Sequence, residues 1–338
     1  MTTLPATAID EAEKNLRDIL TIAIQHTQSA VVVWDGQCEL SLALTQAYRR
    51  CLPDATFIDF DGVSADTVLA AFEKLSPGDL VVLIQSTSFR LDAFRLRVEL
   101  FKRGLKVIEH PHLSRMPGIE ALIYIESLAY DPVYYRGTGN ALKARIDAAD
   151  SGIIDSGGEQ LVFSAGFEPA RLNVGDYSKM HNVGGQFPIG EVFTESKDLE
   201  AVNGRVRIPV FGDTSFTVNK PAQPITLVVC KGRVTDALHS TPEFDRVLAS
   251  IREHEGEIWL RELGFGLNRS YTQGRTVSDI GTFERMCGVH LSLGAKHGSY
   301  NKPNIRKSAA RFHVDVFAAA GPVFLDDELI YRDGRWLV

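Results

Sequence analysis

AVVVWD, residues 30–35, is the first of four short apolar runs that decide the fold of the N-terminal part of this chain. ATFIDFD (55–61), DLVVLIQ (79–85) and LKVIEH (105–110) follow it. Each run is short and apolar, which is typical of a buried strand. Because a helical pattern separates each run from the next, the alternation predicts a parallel sheet flanked by helices.

The segments between these runs carry apolar residues at helical spacing, and an opening helix is expected over residues 9–27. Gly104 is expected to end the last of these helices. The predicted core faces are Leu40, Leu44, Tyr48 and Cys51; Val68, Leu69, Phe72 and Leu75; and Leu91, Phe94, Val98 and Phe101. Residues 1–135 are therefore expected to form an N-terminal α/β domain.

The sequence pattern changes after residue 151, where short strand-like runs are interrupted by Gly, Asn and Pro. EQLVFSA (159–165), ITLVVCKGRVTDAL (225–238) and GVHLSLGA (288–295) are examples, and only TPEFDRVLASIREHEG (241–256) has a clear helical pattern. This predicts a β-rich, mainly antiparallel domain over residues 136–338. A chain of 338 residues is long enough for two domains, each with its own core.

Composition excludes several classes of function. A net charge of -7 disfavours nucleic acid and anionic membrane surfaces as partners. The four cysteines form no CxxC pair, so neither a zinc knuckle nor a disulfide framework is indicated. The opening MTTLPATAIDEAEKNL is acidic and lacks an apolar signal core, and no run approaches the ~18 apolar residues of a spanning helix. A cytoplasmic protein is expected.

Polar residues interrupt the strand pattern of RFHVDVF, residues 311–317. His313 and Asp315 project to one face of the predicted strand, and Val314 faces the core. In GVHLSLGA, His290 likewise alternates with apolar residues. Glu262 shares its parity with the apolar Leu260, which puts a carboxylate on a face expected to be buried. A buried ion needs a partner, so Glu262 is expected to be protonated, paired or bound to a cation.

Two further candidates are Glu191, in FPIGEVFT, and Tyr300, in KHGSYNKPN. The collected set of two histidines, three carboxylates and a phenol suits zinc, cobalt, manganese or iron in the divalent state. It exceeds the three or four ligands of a single zinc site, which favours two cations sharing a carboxylate. Such a pair lowers the pKa of a bound water and polarises a carbonyl or phosphoryl oxygen, so metal-assisted hydrolysis is the leading hypothesis.

Several motifs of residues 180–338 resemble, in order, the thermophilic metallo-aminopeptidase (aminopeptidase T) family. They are GEVFT (190–194), NGRVRIP (203–209), LRELGFGLN (260–268), GVHLSLG (288–294) with a later tyrosine, FHVDV (312–316) and VFLDDELIYRDGRWLV (323–338). The resemblance implies a di-metal exopeptidase that releases N-terminal residues from peptides, uses zinc or cobalt and forms a homodimer. The metal ligands that it implies are Glu191, Glu262, His290, Tyr300, His313 and Asp315.

Further residues are candidates for proton transfer and substrate contact, and two alternative functions stay open. One of Glu191 and Glu262 is expected to transfer protons. Substrate-contact candidates are His181, His297 and Lys302. The first half is shorter than is usual for the family, which keeps open a peptide-binding protein without turnover. A ring-cleaving dioxygenase of the same architecture, with one iron(II), has a histidine where this chain has Glu262 and lacks the histidine that corresponds to His290.

Overall fold

The computed structural model describes residues 4–89, 91 and 96–338. Its helices are α1 Ala6–Asp18, α2 Glu39–Cys51, α3 Ala65–Glu73, α4 Leu96–Lys102, α5 Ile119–Ser127, α6 Pro132–Ala148, α7 Pro242–Glu255 and α8 Ile280–Phe283. Among the described residues, no helix combines the length and the apolarity needed to cross a membrane. Two compact units emerge, one of residues up to Tyr135 with Gly175–Ile189 and one of Arg136–Val174 with Gly190–Val338.

The strands are numbered in chain order. They are β1 Ala30–Trp34, β2 Thr56–Asp59, β3 Leu80–Ile84, β4 Lys106–His110, β5 Gly152–Asp155, β6 Gln160–Phe163, β7 Arg171–Asn173, β8 Gly184–Gln186, β9 Glu191–Glu195, β10 Val202–Ile208, β11 Val210–Gly212, β12 Val218–Asn219, β13 Ile225–Cys230, β14 Arg233–Leu238, β15 Leu260–Gly266, β16 Gly288–Leu293, β17 Val314–Phe317, β18 Val323–Leu325, β19 Glu328–Arg332 and β20 Arg335–Trp336.

The first unit contains a five-stranded parallel sheet in the order β2-β1-β3-β4-β8. Every residue of β3 is buried, as expected of a parallel strand that is covered on both faces. The predicted parallel α/β architecture is confirmed. The opening helix begins earlier than predicted, at Ala6, and α1 passes into a π-helical turn that ends at Ala23, before the predicted end at residue 27.

The predicted face of α4 is partly wrong. The buried residues of this helix are Leu96 and Leu100, whereas Val98 is exposed. These two leucines are four residues apart, so they share the face that packs against the core. Phe94 lies outside the described residues. Gly104 ends this segment as predicted, with a φ of +71° that favours glycine.

Strand β8 belongs to the first unit, although the sequence analysis assigned every residue after 135 to the second domain. It pairs in parallel with β4, with Gly184 opposite Val107. A Cβ at Gly184 would lie 2.0 Å from the Val107 carbonyl oxygen, so the pairing requires glycine. The glycine pair that permits this approach carries no apolar strand signal, which explains the different boundary.

The second unit contains two antiparallel sheets, as predicted for the β-rich part of the chain. The eight-stranded sheet has the order β14-β13-β10-β6-β5-β18-β19-β20, and the seven-stranded sheet has the order β12-β11-β17-β16-β15-β9-β7. Helix α7 confirms the predicted helix of this half. The Thr241 side chain caps its first turn by accepting a hydrogen bond from the Phe244 N–H.

Candidate metal centre

Four adjacent strands of the seven-stranded sheet, β17, β16, β15 and β9, carry the candidate site. Directly opposed residues of paired strands point to the same face of a sheet. His290 opposes Gly264, and Asp315 opposes Ser292, two residues beyond His290. The register of β9 with β15 brings Glu191 to this face as well. Three sequence candidates therefore converge because of strand pairing alone.

Glu262 reaches the same face because β15 contains a β-bulge. From Leu260 to Leu263 β15 advances by three residues, while its partner β16 advances by two, from Leu293 to Leu291. The extra residue resets the alternation, so Glu262 points to the site and not to the side of Leu260. Its side chain is buried as expected. The simple two-residue alternation used in the sequence analysis misses this bulge.

Gly264 creates the space that His290 occupies. A Cβ on Gly264 would lie 2.1 Å from both Cε1 and Nε2 of the His290 ring. The imidazole therefore lies directly on the backbone of β15, in a position that any larger residue at 264 would block. His290 is 1% exposed, so the closely packed atoms around its ring would prevent it from moving away from residue 264.

The candidate ligands form two groups that share Glu262. Glu191, Glu262 and His290 form one group, and Glu262, His313 and Asp315 form the other, with the ligand atoms of each group within 4.8 Å of one another. His290 Nε2 lies 3.2 Å from Glu191 Oε1 and 3.4 Å from Glu262 Oε1. His313 Nε2 lies 3.1 Å from Asp315 Oδ1. A carboxylate that belongs to both groups is the arrangement that a bridged pair of cations requires.

The orientation of His313 and Asp315, in the second group, is suited to binding a cation. His313 Nδ1 lies 3.2 Å from the Lys296 carbonyl oxygen and donates to it, which leaves Nε2 directed towards Glu262 and Asp315. Asp315 Oδ1 is buried and faces His313 Nε2 at 3.1 Å. A cation held by these two side chains would replace the ion pair that they form in the metal-free chain.

The protonation of the two imidazoles follows from the surrounding carboxylates. Burial lowers the pKa of His313, but Asp315 and Glu262 outweigh it and raise that pKa to about 10. Burial likewise opposes charge on His290, yet Glu191 and Glu262 raise its pKa well above the usual value. In the metal-free chain both rings therefore hold a proton at neutral pH, and a cation must displace it.

Arg285 and Glu284 add charge beside the first group. Arg285 Nη1 donates to Glu191 Oε2 at 2.8 Å and also to Glu284 Oε1. Glu191 thus keeps Oε1 directed towards His290. Burial raises the pKa of Glu284 to about 8, although Arg285 acts in the opposite direction. Arg285 is itself buried, so it compensates the Glu191 carboxylate where water cannot.

Helix α7 positions the segments that precede two of the histidines. Its last residue, Glu255, accepts hydrogen bonds from the Ala295 N–H at 2.7 Å, the Arg311 N–H at 2.6 Å and the Phe312 N–H at 2.8 Å. Ala295 lies two residues before His297, and Phe312 immediately precedes His313. One carboxylate therefore fixes both segments relative to the end of the helix.

The remaining sequence candidates have different surroundings. The Tyr300 hydroxyl donates to the Pro169 carbonyl oxygen at 2.7 Å, and burial raises its pKa to about 12. Lys302 is buried against Glu168 and the Lys197 carbonyl oxygen. His181 is exposed and belongs to the first unit.

His297, which the sequence suggested only as a substrate contact, lies in the cluster. Its Nε2 is 2.9 Å from Glu262 Oε2, and its side chain is 2% exposed. The sequence reasoning missed Arg285, Glu284 and Glu255 altogether. The adjacent Glu-Arg pair in FERMCG, within an otherwise apolar stretch, is a signal that could have drawn attention to the first two.

Comparisons with known proteins support the fold. No family model matches the sequence, and no curated protein matches it. The solved structure of wild-type AmpT from Thermus thermophilus is similar over 97% of this chain and 99% of that one, with a TM-score of 0.55 and 15% sequence identity. At this identity, the likeness establishes a shared fold.

Proposed function

We propose that this chain is a metal-dependent hydrolase of the aminopeptidase type, which releases N-terminal residues from peptides. The observation that carries the proposal is the pair of ligand groups joined by Glu262. The motif resemblance to the aminopeptidase T family and the fold shared with AmpT support it. The proposal includes a homodimer acting on peptides, as that resemblance implies, and the cytoplasmic location expected from the sequence.

Glu191, His290 and Glu262 would hold one divalent ion, and Glu262, His313 and Asp315 the other. Imidazole and carboxylate ligands suit zinc or cobalt, and also manganese or iron. Such ions would lower the pKa of the attacking water and polarise the scissile carbonyl.

Carboxylates of the protein would transfer the proton during the reaction. As the water oxygen bonds to the carbonyl carbon, the C=O π electrons move onto the carbonyl oxygen, and a carboxylate accepts the water's proton. That proton passes to the amine nitrogen as the C–N bond breaks. Glu191 and Glu262 are the carboxylates proposed for this transfer. Arg285 would keep Glu191 oriented throughout through the 2.8 Å hydrogen bond to Oε2.

The test combines metal analysis with product analysis. Wild-type protein purified without chelator should contain about two equivalents of transition metal and release free amino acids from a peptide mixture. Both His313→Ala and Glu262→Ala should lose metal and activity. Glu253→Ala is a matched control for Glu262→Ala, since Glu253 is exposed on α7.

Two outcomes would contradict the proposal. A metal content below one equivalent, with no protection by added zinc or cobalt, would favour a peptide-binding protein without turnover. One equivalent of iron, together with oxygen consumption on an aromatic diol, would favour the dioxygenase.

A further inference from the structure

His297 presents a buried nitrogen to the site. Its Nε2 lies 2.9 Å from Glu262 Oε2, within reach of that carboxylate but poorly aligned for a hydrogen bond. Leaving a buried N–H without a well-aligned acceptor is costly. A nitrogen in this condition beside a candidate catalytic centre indicates a group whose partner arrives with the substrate.

The opposite nitrogen of the ring determines where the proton is. The Ser299 N–H donates to His297 Nδ1 at 3.1 Å, so Nδ1 uses its lone pair as an acceptor. In a neutral imidazole the proton is then on Nε2. His297 therefore offers an N–H donor, and not a lone pair, on the side that faces Glu262.

Neighbouring rings fix the orientation of this donor. The His297 ring contacts Tyr300 with centroids 4.9 Å apart, His313 at 6.1 Å and Phe193 at 6.2 Å. The Tyr300 hydroxyl is itself anchored to the Pro169 carbonyl oxygen. The backbone on either side is held as well, because Arg261 donates to the carbonyl oxygens of Ala295 and Tyr300. The donor is thus preorganised before substrate binds.

We infer that His297 is a catalytic residue whose Nε2–H donates a hydrogen bond to the oxygen that becomes negatively charged when water adds to the substrate carbonyl. This inference rests on the proposed hydrolytic function. A fixed donor stabilises the charge that develops in the transition state without having to reorganise during the reaction. Tyr300 acts only by positioning the ring.

The probe is L-leucylphosphonic acid, a tetrahedral anion that resembles the intermediate of peptide hydrolysis. Its affinity is measured by calorimetry on metal-loaded wild type, His297→Phe and His297→Gln, with metal content determined on each sample.

His297→Phe keeps a planar ring but removes the donor, so we expect phosphonate affinity and kcat to fall by about 10²-fold or more, with little change in KM and none in metal content. His297→Gln retains an N–H and should recover part of both losses. His239→Phe is the control, since His239 is exposed just after β14, and it should leave both quantities unchanged.

Three results would overturn the inference: wild type that does not bind the phosphonate, His297→Phe that binds it as tightly as wild type, or His297→Phe that loses a metal ion, which would make His297 a ligand. Failure of the proposed function looks different. If wild type hydrolyses no peptide but His297→Phe still loses phosphonate affinity, the donor role stands. If peptides are hydrolysed at wild-type rates by His297→Phe, hydrolysis stands and the donor role does not.

Discussion

At the scale of single residues, Gly264 shows how the absence of a side chain shapes the site. The His290 ring occupies the position that a Cβ on residue 264 would take, at 2.1 Å. We predict that Gly264→Ala forces the ring away from Glu191 and Glu262. The expected result is a loss of about 1–3 kcal/mol in the free energy of unfolding, from overpacking, and weaker binding of the ion held by His290. Chemical denaturation and metal titration measure the two effects.

The control for this prediction is Gly137→Ala. Gly137 lies in α6, and a Cβ there would meet no atom of the described residues within 4 Å, apart from the adjacent residues and the helix's own backbone. Alanine should stabilise the helix slightly at this position and leave metal binding unchanged. Tight binding of two ions by Gly264→Ala would show that His290 is not held by the backbone as described.

Arg285 provides the second prediction at this scale. Its guanidinium compensates Glu191 in a buried setting and also donates a hydrogen bond to Glu284. Arg285→Met leaves the Glu191 carboxylate without this countercharge, so the metal-free variant should lose about 3–5 kcal/mol in the free energy of unfolding. Added zinc supplies positive charge, so it should raise the Tm of the variant by more than it raises that of wild type. Differential scanning calorimetry with and without zinc measures both shifts.

The exposed pair of Arg246 and Glu243 is the matched control, since Arg246→Met should change stability by less than about 1 kcal/mol. Equal stability of metal-free Arg285→Met and wild type would mean that Glu191 does not need this cation.

At the scale of elements, the end of α7 links two segments of the site. Glu255→Gln keeps the size of the side chain but leaves only one oxygen to accept the hydrogen bonds from Ala295, Arg311 and Phe312. We predict a destabilisation of about 1–3 kcal/mol and weaker binding of the ion held by His313. The exposed Glu253, on the same helix, provides the control Glu253→Gln. If both variants bound metal equally well, α7 would have no part in positioning His313.

The helices and strands also differ in how far the sequence alone predicts them. Strand and helix patterns in the first half are continuous and local, so the parallel sheet follows from them. Local alternation and motif resemblance predict the candidate ligands, which are Glu191, Glu262, His290, His313 and Asp315. The bulge in β15 and the parallel pairing of β8 each depend on a partner strand that is distant in sequence, so no local sequence pattern predicts them. The same holds for Glu255, whose partners are 40 or more residues away.

At the scale of the whole molecule, the site couples stability to pH. The pKa of His313 is raised from an ordinary value near 6.5 to about 10, so the folded metal-free chain binds this proton more tightly than the unfolded chain. The stabilisation is fully present below pH ~6.5 and is lost as pH rises through about 10. We therefore predict that the Tm of metal-free protein falls between pH 7 and 10. With two bound ions His313 would be a neutral ligand, so the Tm of the loaded protein should fall much less over this range.

His313→Gln removes the group and should flatten the metal-free profile, which separates its contribution from those of other residues that titrate near pH 10. A metal-free Tm that stays constant from pH 7 to 10 in wild type would show that His313 is not protonated among these carboxylates.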